Sequence, residues 1–224
     1  HENRWWNRTA QRLLLERQDK SVIPEVRALF AQSENPRFRL HALYVLEGMD
    51  ALDAVTVMTA MKDPSAGVRE NAAILSERFP DCLSQLAEMI NDPSIRVAFQ
   101  ATLSLGQFKD KAVIPALAKA LELHGQSSWF RTAVLSSEAG SGIDLLKILE
   151  RNSFFKDASS WKLNFIETGS NVIGARNDKN QVSGLLSLLA QSSLSNTAGL
   201  QSASIKGLVE GIEKSAGLEN SLKE

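Results

Sequence analysis

The chain has 224 residues, of which 43% are hydrophobic and 23% charged, and its formal net charge is −1. These are ordinary values for a globular protein, and they argue against a dedicated nucleic-acid-binding protein, in which basic residues are in excess. The sequence has no run of about eighteen apolar residues, so it predicts no membrane-spanning helix.

The first predicted helix lies in the stretch RWWNRTAQRLLLER and carries apolar side chains on more than one side. Trp6 shares a face with Leu13 and is predicted to pack in the core. Trp5 points to another side, and two apolar sides imply two neighbours. We therefore predict that this helix contacts a preceding domain, with Trp5 as the anchor and Arg4 and Arg12 at the rim.

The following helices are predicted to come in pairs. The first helix of a pair is clearest in VIPEVRALFAQS (22–33) and AVIPALAKALELH (112–124), where apolar residues recur at helical spacing. Both stretches carry a proline in the predicted first turn, where its missing N–H is tolerated. The second helices are predicted to begin at Pro36, Pro64, Pro93 and Ser127.

Two stretches, MKDPSAGVRENAA and MINDPSIRVAFQA, read as copies of one unit. The Asp and Pro lie at a turn, the Val faces inward, and the Ala lets the paired helix approach closely. Stacked helix pairs that share a core in this way form a solenoid. Four residues of the first copy have an identical residue 29 positions later in the second. These pairs are Asp63 and Asp92, Pro64 and Pro93, Val68 and Val97, and Ala72 and Ala101.

Arginines recur at one position of the unit, as Arg8, Arg39, Arg69 and Arg131. One interpretation is a structural ladder, in which each arginine binds an aspartate or a helix-end carbonyl of the adjacent turn, because its fork serves two acceptors. The other interpretation is a basic groove that binds phosphate or an acidic partner. The acidic partners predicted for the ladder are Asp63, Asp92 and Asp110.

The sequence has few residues of the types that most often carry catalysis or bind metals. The three histidines, His1, His41 and His124, are far apart in the repeat order, and Cys82 is the single cysteine. The stretch EAGSGID (138–144) is predicted to be a turn rather than a phosphate-binding loop. We therefore predict no catalytic, cofactor-binding or metal-binding site, and no haem, metal or flavin in this chain.

The stretch DPSAGVRENAA resembles HEAT repeats, in which an Asp-Pro turn precedes Val-Arg-x-x-Ala; DPSIRVAFQA departs from that pattern because Ala98 stands in place of the arginine. The period of about 30 residues is shorter than the ~40–47 of ordinary HEAT units. The resemblance implies an all-α, right-handed α-α superhelix (a HEAT/armadillo-like solenoid) of about six to seven helix pairs. It predicts one domain over 1–224, with clear repeats over 4–152 and degenerate ones over 153–224.

A narrower resemblance rests on the strings WWNRTAQRLL and RLHALYVLEG, which are similar to the middle region of large bacterial membrane-bound dehydrogenases. That family has a dehydrogenase-like β-propeller, then HEAT-like repeats, then a cytochrome c domain. The resemblance implies a fragment of a larger extracytoplasmic protein, whose other domains carry haem and a quinone cofactor. The start at His-Glu-Asn-Arg without Met is in line with that expectation.

The predicted function is a non-catalytic scaffold that acts as the spacer between the propeller and the cytochrome c domain. Its partners are then neighbouring domains of the same chain or another protein, with no nucleic acid and no direct membrane insertion. Two alternatives are a free-standing protein-interaction module and a HEAT-like enzyme such as a DNA glycosylase or a bilin lyase. A glycosylase needs a basic, aromatic concave face and a carboxylate, and the overall charge argues against it.

Overall fold

The computed structural model describes residues 4–191 and 198–221, and within these residues it contains α-helices, short 3₁₀ segments and turns but no β-strand. The prediction of an all-α helical repeat solenoid is confirmed. The helices of the described residues are α1 (Arg4–Arg17), α2 (Ile23–Gln32), α3 (Pro36–Gly48), α4 (Ala54–Ala60), α5 (Ala66–Leu75), α6 (Leu83–Glu88), α7 (Ile95–Leu105), α8 (Ile114–His124), α9 (Ser128–Ser136), α10 (Ile143–Arg151), α11 (Ser160–Arg176), α12 (Lys179–Gln191) and α13 (Ala198–Ser221).

The chain forms two compact units, one ending at Ser104 and the other beginning at Leu105. In the first unit, α2 packs on α3 and α4 packs on α5, while the second helices α1, α3 and α5 contact one another in succession. In the second unit, α8 packs on α9, and α8, α10 and α12 follow one another as the first helices of their pairs. Each unit therefore contains packed helix pairs and a succession of neighbouring helices.

The core of the first unit follows the repeated phrase. Val68 and Ala72 of α5 are fully buried, and so are Val97 and Ala101 of α7. The inward-facing valine and the small alanine one turn later are thus the positions at which each second helix packs against its neighbours, as their spacing predicts.

The second helices begin later than predicted at Pro64 and Pro93. Helix α5 starts at Ala66 and α7 at Ile95, because the preceding aspartates form turns that end before the helix begins. The Oδ1 atom of Asp63 accepts a hydrogen bond of 2.8 Å from the backbone N–H of Ser65. Asp92 repeats this contact at 2.8 Å with Ser94. Each proline therefore lies in the turn and not in the first helical turn.

In the second unit, α11 and α13 pack closely through small residues. A Cβ atom on Gly207 or Gly211 would collide with a carbonyl oxygen of α11, and one on Gly174 would collide with the carbonyl oxygen of Leu208. At the contact between the two helices, the buried hydroxyl oxygens of Ser170 and Ser204 lie 2.8 Å apart. Glycine therefore sets the distance between these two helices.

Among the described residues, none of the helices combines the length and the hydropathy that crossing a bilayer requires.

Candidate interaction sites

Arg39 binds the carboxylate of the next helix pair with one edge of its guanidinium and two backbone carbonyls with the other. Its Nε atom donates to Asp63 Oδ2 at 2.6 Å, and its Nη2 atom donates to Asp63 Oδ1 at 2.7 Å. Its Nη1 atom donates to the carbonyl oxygens of Ser33 and Glu34, at 2.8 and 3.0 Å. Arg39 thus links the turn that precedes its own helix to the turn of the following pair.

Arg69 repeats the same four contacts one pair later. Its Nε and Nη2 atoms donate to the two carboxylate oxygens of Asp92, at 2.7 and 2.8 Å, while Nη1 reaches the carbonyl oxygens of Asp63 and Pro64. The side chains of Arg69 and Asp92 are only 14% and 7% exposed. Burial raises the pKa of Asp92, but hydrogen bonds from Arg69 and the Ser94 N–H outweigh it and leave that pKa below its ordinary value.

Arg8 differs from the ladder prediction. Its side chain is exposed, and it has no carboxylate partner in the part of the chain that the structure describes. The reason lies in the following turn, where Ser33 occupies the position that Asp63 holds in the next unit. A serine at that position offers no carboxylate for Arg8 to bind.

Arg131 keeps only the backbone half of the ladder contacts. Its Nη1 atom donates to the carbonyl oxygens of Gly125 and Gln126, at 2.8 and 2.9 Å, as in Arg39 and Arg69. Within residues 4–191 and 198–221 no carboxylate binds its other side. The equivalent aspartate, Asp157, is bound by Lys162, whose Nζ atom donates to Oδ2 at 2.7 Å.

The repeat pattern does not predict the role of Lys162 at this site. Its side chain is buried, and its Nζ atom also donates to the carbonyl oxygen of Phe154 and lies 4.6 Å from the centre of the Phe154 ring. Lys162 occupies the position of the inward-facing valine in the repeat. The feature of the sequence that indicates this contact is a lysine at an apolar position of the repeat, five residues after an aspartate that can bind it.

Asp110 is a helix cap and not a ladder partner. Its Oδ1 atom accepts a hydrogen bond of 2.8 Å from the N–H of Ala112, at the start of the turn that leads into α8. Asp19 makes the same contact with Ser21 before α2. Aspartates that precede first helices therefore cap them, whereas Asp63 and Asp92 precede second helices and receive the arginines.

The predicted contact surface on α1 is exposed in this chain. Trp5 is 61% exposed, and Trp5, Arg8, Thr9 and Arg12 line a shallow depression of about 360 Å³. Arg12 makes an exposed ion pair of 3.4 Å with Glu16. The side chain of Arg4, the other predicted rim residue, lies outside the described residues. We call the surface formed by Trp5, Arg8, Thr9 and Arg12 the α1 face.

The prediction that Trp6 packs in the core is wrong, because its side chain is 53% exposed. Helix α1 packs on α3 through the opposite side, where Gln11 Oε1 lies 2.7 Å from Nδ1 of His41. Trp6 and Gln11 are five positions apart, which places them about 140° apart around a helix. The Trp6 ring instead packs edge-on against Trp5, with ring centres 4.6 Å apart.

The residues with catalytic chemistry lie apart from one another. Burial lowers the pKa of His41, with a smaller contribution from the charge of Arg8, and burial raises the pKa of Cys82 to about 11. His124 packs against Phe130, and His1 lies outside the described residues. In the described residues no group of three His, Cys, Asp or Glu side chains is arranged to hold a metal ion.

The repeated helix pairs and their arginine–aspartate contacts define a helical-repeat protein. Residues 60–137 match the family model of HEAT repeats, so the stretch that holds the Arg69–Asp92 pair is HEAT-like. Comparison with curated proteins and with solved structures gives no significant match.

Proposed function

We propose that this chain is a non-catalytic scaffold domain that binds a neighbouring protein domain through the α1 face. The observation that carries the proposal is the exposed Trp5–Trp6 pair beside Arg8 and Arg12, since Trp and Arg are the residues that most often anchor protein interfaces. HEAT repeats commonly mediate protein interactions, which is in line with this role.

The neighbouring domain in this proposal is a dehydrogenase-like β-propeller, with a cytochrome c domain on the other side of the repeats. The support is the similarity of WWNRTAQRLL and RLHALYVLEG to the middle region of bacterial membrane-bound dehydrogenases. The first of these strings contains all four residues of the α1 face. The scaffold then works in an extracytoplasmic compartment, and haem and a quinone cofactor belong to its neighbours.

The open reading frame that encodes this chain tests the placement directly. The proposal expects a propeller-type sequence before residue 1 and a Cys-x-x-Cys-His haem motif after residue 224. A reading frame without either one contradicts the placement between redox domains. Such a result leaves the α1 face to be tested as a contact for another protein.

Replacing Trp5 with serine in the longer protein is expected to loosen the contact between this domain and the one before it. Removal of an interface anchor of this kind costs about 2 kcal/mol, so limited proteolysis of the connecting segment should become about 10-fold faster or more. The measurement is the rate of cleavage by a dilute protease, followed by gel electrophoresis and mass spectrometry.

The matched control is Trp129→Ser, because Trp129 is also exposed (73%) but lies on α9. This control should leave the cleavage rate of the connecting segment unchanged. Equal rates for wild type and Trp5→Ser show that Trp5 is no anchor, and they overturn the proposed contact.

A further inference from the structure

A second surface, between α9 and α11, has the features of a peptide-binding groove. It holds about 320 Å³, and its lining includes Arg131, Thr132 and Ser136 from α9 and Asn164 and Thr168 from α11. The lining is mixed polar and apolar, and Arg131 is its only charged residue among those described; it is completed by Ser128, Leu135 and Phe165. The groove lies wholly within the second unit and is separate from the α1 face.

Comparison with the two complete arginine–aspartate pairs shows what Arg131 lacks. Arg39 and Arg69 each use Nη1 for two backbone carbonyls and the remaining edge, Nε and Nη2, for both oxygens of one carboxylate. Arg131 has the same two backbone contacts, which hold its guanidinium in place. Its carboxylate-binding edge has no acidic partner in the described part of the chain.

The aspartate that the repeat supplies for Arg131 is already bound elsewhere. Asp157 precedes α11 as Asp63 precedes α5, and its Oδ1 atom accepts from the N–H of Ser159. Its Oδ2 atom is held by Lys162, and this hydrogen bond lowers the pKa of Asp157. The aspartate of this turn is thus paired with a lysine of the first turn of α11, and Arg131 lines the groove.

Trp129 is not part of the groove lining, but it lies on α9, the helix that carries most of the lining residues. It is 73% exposed and lies three residues before Thr132 and seven before Ser136, so all three stand on the same side of α9. A site that presents a bidentate arginine beside an exposed indole matches a carboxylate next to an apolar side chain. A small carboxylate such as acetate contacts only the arginine, whereas a peptide contacts the arginine and the indole together.

We propose that the α9–α11 groove binds an acidic segment of a partner protein, with Arg131 clamping an Asp or Glu side chain and Trp129 covering an apolar neighbour. Serine, threonine and asparagine side chains of the lining offer hydrogen-bonding groups to the peptide; the hydroxyls of Ser136 and Thr168 already donate within their helices and so act as acceptors. This site extends the function of the chain to a second partner and does not depend on the α1 contact.

The test uses the blocked peptide acetyl-Gly-Leu-Asp-Leu-Gly-amide, followed by the indole N–H signal of Trp129 in NMR spectra, which Trp129→Phe identifies. The Asp peptide should shift this signal saturably. The matched Asn peptide should bind about 10-fold more weakly or worse, because a charge-assisted bidentate contact is lost. Equal binding of the two peptides overturns the proposal, and so does acetate that binds as tightly as the Asp peptide.

Two variants test the role of Arg131 from opposite directions. Arg131→Gln should weaken binding of the Asp peptide about 10-fold or more, whereas the exposed Arg151→Gln should leave it unchanged. Ser128→Glu places a carboxylate three residues before Arg131, in the first turn of α9, where it is within reach of the guanidinium. This variant should abolish peptide binding without a loss of thermal stability, because acidic residues are favoured at a helix N-terminus.

Asp157→Asn tests whether the groove is blocked by the chain itself. Since Lys162 holds Asp157, this substitution should leave the affinity for the Asp peptide unchanged. An increase of about 10-fold, the size of one charge-assisted contact, would show that Asp157 occupies Arg131 in solution and would overturn the proposal. Ser128→Glu that folds and still binds the peptide as wild type does overturns it as well.

Discussion

Replacing Gly207 with alanine is expected to lower the free energy of unfolding of the second unit by about 3 kcal/mol, because the added methyl group overpacks a helix contact. The Cβ atom would meet the backbone carbonyl of Glu167, which cannot move away as a flexible side chain does. Helices α11 and α13 would have to separate, which also loosens the hydrogen-bonded hydroxyls of Ser170 and Ser204. Denaturant unfolding followed by circular dichroism measures the change.

Gly199→Ala is the matched control on the same helix. Its nearest neighbour would be Leu163 Cδ2 at 3.7 Å, an ordinary van der Waals contact. Alanine there should be neutral or stabilise the unit by up to about 1 kcal/mol, because alanine has the higher helix propensity. If Gly207→Ala behaves like Gly199→Ala, α11 and α13 do not pack as closely in solution as the structure shows.

Replacing Arg69 with alanine is expected to lower the free energy of unfolding of the first unit by about 3 kcal/mol, because it leaves a buried carboxylate without its cation. Asp92 is 7% exposed, and it would keep only the N–H of Ser94 as a partner. The carbonyl oxygens of Asp63 and Pro64 would also lose their donor. The same unfolding experiment measures the loss.

Arg96→Ala is the control for Arg69→Ala, because Arg96 forms an exposed ion pair with Glu70 at 2.8 Å. Exposed pairs contribute only about 0–1 kcal/mol. The loss in Arg69→Ala should also depend on pH, since the pKa of Asp92 in the folded chain lies below its ordinary value of 3.8. That contribution is complete above pH 3.8 and is lost as the pH falls through the folded pKa. Equal losses in the two variants contradict a buried structural pair.

The sequence predicts the Arg39–Asp63 and Arg69–Asp92 contacts because both members of each pair recur at a fixed spacing. It does not predict where the ladder stops, because that depends on residues outside the recurring phrase. Ser33 removes the acceptor that Arg8 needs. Lys162 takes Asp157 from Arg131, and a lysine that turns back from the core to the preceding turn is set by tertiary packing.

The other differences between sequence and structure also arise from contacts between helices. The stretch after 152 shows a decayed phrase, yet α11 and α13 pack tightly, because Gly174, Gly207 and Gly211 replace the valine–alanine pattern as the means of close approach. The sequence predicts that Trp6 is buried, because it shares a face with Leu13. The face that α1 turns to α3 is instead the one with Gln11, a polar residue that hydrophobic periodicity passes over.

Amide hydrogen exchange of residues 4–17 tests the central claim, that α1 binds a neighbouring domain, most directly. Exchange is compared between this chain alone and the longer protein in which the proposal places it. The account predicts that the amides of α1 exchange about 10-fold more slowly or better in the longer protein, because a domain that covers Trp5 suppresses local opening of the helix. Amides of α8, in the other unit, should exchange equally in both. Equal exchange of α1 in the two proteins would contradict the claim.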